Sequence, residues 1–91
     1  MVIQKEQIGY YSFPGDDVLR TKESKSLRRH ELARAQILGN TMKHKVKINF
    51  YVKKRPYPVS VETTVWGVDD EFVFLKGGRV IPIKSIESIQ L

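Results

Sequence analysis

A chain of 91 residues without cysteine reads as one domain with a single modest core, and it excludes disulfides, thiolate metal sites and cysteine nucleophiles. Hydrophobic residues at 41% and charged ones at 29% place it among globular chains rather than disordered ones. The net charge of +6 is segregated: residues 20–55 hold twelve Lys and Arg against two Glu, and each flank is acidic by two charges, so the middle of the chain is where a polyanion would be drawn.

No apolar run approaches the ~20 residues of a membrane span, and no long apolar segment follows the charges of Met1–Glu6 as in a secretory signal. A cytoplasmic protein with no membrane partner is the expectation. Residues 1–23 read as an N-terminal arm. Ile3, Ile8, Tyr10, Tyr11 and Phe13 are its apolar anchors, the three aromatics alternatively forming a base-stacking platform, and Phe13-Pro14-Gly15-Asp16-Asp17 is a turn. Residues 24–39 read as one helix, with Ser24 or Ser26 as N-cap, Leu27, Leu32, Ala35 and Leu38 on the buried face and Gly39-Asn40 as its stop. Arg28 falls inside that apolar arc, whereas Arg29, His30 and Arg34 point elsewhere.

The rest of the domain, residues 45–91, reads as five short strands. Val46, Ile48, Phe50 and Val52 alternate with Lys47, Asn49, Tyr51 and Lys53, a period of two with one wet face. Pro56 and Pro58 must end that strand, because neither can donate to a ladder. Val59 to Trp66 is rich in β-branched residues and is the best strand of the chain. Gly67-Val68-Asp69-Asp70 is a turn, Glu71 to Lys76 a strand apolar on both sides, and Gly77-Gly78 a tight hairpin. Arg79 to Ile83 returns with Pro82 at an edge or a strand end, Lys84-Ser85-Ile86 is one helical turn, and Glu87 to Leu91 closes the chain.

A helix followed by five short strands, with a one-turn break before the last, resembles the Sm-like barrel of the Hfq type of RNA chaperones, and more loosely Src-homology-3-like barrels. The closing run Val80-Ile81-Pro82-Ile83-Lys84-Ser85-Ile86-Glu87-Ser88-Ile89 is similar to the end of the small bacterial YolD-like family. The likeness covers about half the chain. It implies a mostly β, α+β fold in which the five strands close into one small antiparallel barrel, and no counterpart is found of the polar residues with which Sm-like proteins hold bases.

No constellation carries catalysis or binds a cofactor. His30-Glu31 invites comparison with H-E-x-x-H, but position 34 is arginine, so the second ligand is missing. Asp16-Asp17 and Asp69-Asp70-Glu71 sit in turns that want acids for local hydrogen bonding. Lys53-Lys54-Arg55-Pro56-Tyr57 is the sharpest candidate, since three cations and an aromatic at a hairpin tip can contact phosphates and stack on a base together. Trp66, the only tryptophan, is either covered by the arm or helix or exposed as a ligand platform.

The expected function is a non-enzymatic module that binds RNA or single-stranded DNA through Arg28, Arg29, Arg34, Lys53, Lys54 and Arg55, with Tyr57 stacking. The alternative is a protein-interaction or homo-oligomer assembly module pairing through an exposed barrel edge around Arg79 to Ile83.

Overall fold

In the computed structural model, which describes residues 1–91, the chain runs β1 (Val2–Ile3), a 3₁₀ turn (Lys5–Tyr10), α1 (Lys22–Met42), β2 (Val46–Phe50), β3 (Val59–Thr63), β4 (Val65–Val68), β5 (Phe72–Leu75), β6 (Val80–Pro82), a second 3₁₀ turn (Ile83–Ser85) and β7 (Ile86–Gln90). The class is α+β. The strands form two sheets, ordered β1-β3-β2-β7 and β4-β5-β6, which corrects the expectation of five strands closed into one barrel. Two local breaks explain the difference. Thr64 interrupts the Val59–Trp66 run, so its halves β3 and β4 join different sheets. Pro82 and the 3₁₀ turn after it end β6 before it can share a ladder with β7. The helix packs against β4 and β7, one edge strand from each sheet, and so fills the opening that a barrel would have closed with hydrogen bonds.

Alternation in the strands does position the core. Val46, Ile48 and Phe50 from β2, Val59 and Val61 from β3, Val73 and Leu75 from β5 and Ile81 from β6 are all buried between the sheets and α1. The Gly77-Gly78 hairpin is formed as expected, with φ of 91° and 87°, a region glycine enters without a Cβ penalty.

The helix departs from its expected bounds at both ends. Its N-cap is Thr21, whose Oγ1 accepts from the Ser24 N–H at 3.1 Å, in place of Ser24 or Ser26. It also runs through Gly39 to Met42 and ends on Lys43 at φ 52°. Gly39 is a packing residue and not a stop: a Cβ there would collide with the Val65 carbonyl oxygen and lie 3.0 Å from Thr64 Cγ2. The buried face is Arg28, Leu32, Ala35 and Gly39, a spacing of four, three and four that lines one side of a helix. Leu27 is instead 60% exposed.

The N-terminal arm is tied down along its length. β1 pairs in parallel with β3, Ile3 and Ile8 enter the core, and the Phe13 ring lies 6.0 Å from that of Phe50. Tyr11 packs beside it, while Tyr10 points to solvent.

Candidate functional site

Of the expected phosphate contacts, Arg28 is removed by its environment. It is 5% exposed, its guanidinium donates to both Asp17 carboxylate oxygens at 2.8 and 2.7 Å, and a third bond of 3.0 Å runs to the Ile86 carbonyl. An arginine fixed by two acceptors on one side and a β7 carbonyl on the other ties arm, helix and sheet together; its terminal nitrogens are committed to protein acceptors, while its Nε is buried without a partner. The bond from Arg28 is the main reason the Asp17 carboxyl is held below its ordinary value of 3.8; burial opposes the shift, and the Leu19 N–H and the positive charges of Arg28 and Lys25 add to it.

The hairpin tip between β2 and β3 is different in kind. Lys53, Lys54, Arg55 and Tyr57 are all exposed, Tyr57 by 54%. Arg28–Asp17 is the one ion pair in the molecule, so none of the three tip cations is neutralised by a neighbouring acid. The tip is nonetheless held. The Lys53 N–H donates to the Ser12 carbonyl at 2.9 Å, Lys54 sits in the left-handed region at φ 70°, and the Arg55 guanidinium carbon lies 5.8 Å from the Tyr11 ring centroid. Two tyrosines therefore flank three free cations on a loop pinned to the arm.

Hydrogen bonds place the tip at the same end of the molecule as the first half of α1. Tyr51 N–H donates to Ser85 O at 2.8 Å and Val18 N–H to Lys84 O at 2.9 Å, one and two residues before the point where Arg28 grips Ile86. Tyr51, just before the tip, donates its hydroxyl to Glu87 at 3.0 Å, and that bond to a carboxylate is the main reason its own ionisation is pushed up. A cleft of about 560 Å³ opens nearby, with Lys25, Arg29 and Lys84 among its lining groups together with Asp70 and Glu71. Arg29 is thus exposed and close to this end. Arg34 is exposed but lies about 140° round the helix from Arg29, on the opposite flank.

Lys25 and Lys84 were not among the residues expected at the site, and Tyr11 was read only as part of a separate stacking platform with Tyr10 and Phe13. Only chain folding brings Tyr11 to Arg55 and gathers Lys25 and Lys84 in the cleft, and the one sequence signal for Lys25 was its spacing of four from Arg29.

The β6 edge has little to offer an added strand. Arg79 O and Ile83 N bond inward to β5 and its preceding turn, so the outward groups are those of Val80 and Pro82. Pro82 has no N–H, and its carbonyl already accepts from Ser85 Oγ at 2.7 Å. That leaves one outward donor on the strand. No group of three or more His, Asp or Glu is placed to hold a metal ion, and no helix is long and apolar enough to cross a membrane. No protein-family model, curated protein or solved structure matches the chain.

Proposed function

We propose that the protein is a non-enzymatic module that binds single-stranded nucleic acid, RNA or DNA, at the β2–β3 tip. The observation that carries the reading is the tip itself: Lys53, Lys54 and Arg55 exposed and unpaired, with Tyr57 and Tyr11 beside them. Cations of this kind contact phosphates and position the strand, while Tyr57 offers a face on which any base can stack. Arg29, Lys25 and Lys84 add cations at that end, in a cleft they share with Asp70 and Glu71, and Arg34 lies outside it. The order of helix and strands by which the chain resembles Sm-like RNA-binding proteins is in keeping with this reading and adds no residue to it.

The test compares two variants of equal charge loss in an anisotropy titration with labelled single-stranded RNA. The Lys53→Ala, Lys54→Ala, Arg55→Ala variant is expected to lose at least about tenfold in affinity. Changing Lys45, Lys47 and Lys76 to alanine, at the far end, is expected to cost much less. Equal losses would show attraction to net charge without a site, and the proposal would fail.

A further inference from the structure

The cleft beside the tip is walled by segments that hydrogen bonds hold in place. Arg28 and Asp17 lock α1 to the arm, Val18 N–H donates to Lys84 O at 2.9 Å, and Ile83 N–H donates to Glu71 O at 2.8 Å. The turn between β4 and β5 is fixed by Asp69, whose Oδ1 accepts from the N–H groups of Glu71 and Phe72 at 2.8 and 2.7 Å. The cavity of about 560 Å³ is therefore preformed, and its size is that of a small-ligand site.

Charges of opposite sign line it without pairing. α1 contributes Lys25 and Arg29, whose spacing of four puts them on one side of the helix, and the 3₁₀ turn after β6 contributes Lys84. The β4–β5 turn contributes Asp70 and Glu71. All five are exposed and none is in an ion pair. Asp69 spends its carboxylate on the turn, which leaves those of Asp70 and Glu71 free to accept. Arg28, only 5% exposed, also lines the cleft, and its Nε is the one buried side-chain nitrogen or oxygen without a partner. Phe72, Pro14 and Pro82, all half-buried, supply apolar surface.

A ligand that matches this lining carries an anionic group, a flat apolar face and hydrogen-bond donors, and a nucleotide has all three. The acids decide which base, because a carboxylate only accepts. On its pairing edge guanine presents two adjacent donors, N1–H and the N2 amino group. Adenine and cytosine set one amino group beside a ring acceptor, and uracil sets one N–H between two carbonyls.

We propose that the cleft takes one guanine nucleotide of a bound single strand. Asp70 and Glu71 accept from its pairing edge, Phe72 lies against the ring, and Lys25, Arg29 and Lys84 hold the flanking phosphates. This rests on the β2–β3 tip being a single-stranded nucleic-acid site, and it adds a base preference that the tip cations cannot supply. The Tyr51 N–H bond to Ser85 O joins the root of the tip to the residue after Lys84, so a strand on Lys53–Arg55 adjoins the cleft.

Anisotropy titrations with labelled RNA strands of about ten nucleotides test it, one all uridine and the others carrying a single central G, A or C. The G strand is expected to bind about tenfold more tightly than the all-uridine strand, and the A and C strands less than about threefold. Asp70→Ala with Glu71→Ala removes two exposed negative charges. It should raise affinity for the all-uridine strand while abolishing the preference for G, whereas acids acting only through charge would raise every strand alike. Equal binding of the G and all-uridine strands would overturn the proposal, as would a preference for A or C, or a G preference that survives the double variant. Guanosine monophosphate competing as well as the G strand would also overturn it and assign the cleft to a free nucleotide. In each of these cases an affinity that still falls in the triple tip variant leaves the tip assignment standing; failure of every strand to bind overturns both.

Discussion

Asp17 and Arg28 stand eleven residues apart in the chain and meet in the only ion pair of the protein. Arg28 is buried and Asp17 nearly so, and removing the acid strands a desolvated guanidinium. Asp17→Asn should therefore cost about 2–3 kcal/mol, measured by urea denaturation at pH 7. The pH dependence has a definite sign. Because the folded state holds the Asp17 carboxyl below its ordinary value of 3.8, folding disfavours its protonation; the contribution is complete above about pH 5 and is lost as pH falls through the lowered value. Asp17→Asn should flatten the acid limb of the stability profile, and an unchanged limb would mean that other carboxyls control it.

At the same scale, Lys43 and Lys54 occupy left-handed backbone at φ 52° and 70°, where glycine carries no Cβ penalty. Each Lys→Gly change should raise stability by about 0.5–1 kcal/mol in denaturation midpoints. Only Lys54→Gly should also weaken RNA binding, separating its backbone cost from the use of its charge.

Among the elements, α1 is the one most constrained by what it touches. Replacing Gly39 by alanine gains about 1 kcal/mol of helix propensity, but the new Cβ must displace the β4 backbone at Val65. A net loss of about 2–3 kcal/mol is expected by thermal or chemical unfolding. A stabilised variant would show that helix and sheet can separate at no cost.

This position also shows where sequence reading succeeds and where it stops. The Gly77-Gly78 hairpin, the alternation of β2 and the break at Pro82 were legible because each depends on residues within a few positions. Gly39 was read as a helix stop because its real reason, the closeness of Val65, is a contact across 26 positions. Arg28 looked like a blemish on an apolar stripe for the same reason: its partners are Asp17 and Ile86. The division into two sheets was hidden because nothing in the β-branched run Val59–Trp66 marks Thr64 as the crossing point. At the site, the tip cations were legible as a run, but the pairing of Arg55 with Tyr11 and the separation of Arg34 from Arg29 required the fold.

For the whole molecule, a net charge of +6 with one ion pair leaves the cations of the surface uncompensated, and the fold decides where they act. One end gathers the β2–β3 tip, Lys84 and the first half of α1. The opposite end carries Lys43, Lys45 and Lys76, beside the exposed Trp66. General attraction to a polyanion would draw on both ends, whereas a site at the tip uses a small, fixed number of contacts. The salt dependence of RNA binding separates these most directly. For three or four phosphates engaged by the tip and its neighbours, log K should fall against log salt with a slope of about −2 to −3 between roughly 50 and 200 mM, and the triple tip variant should lose about two units of that slope. A slope near zero, or one that the tip variant leaves unchanged, would contradict the assignment of nucleic-acid binding to Lys53, Lys54 and Arg55.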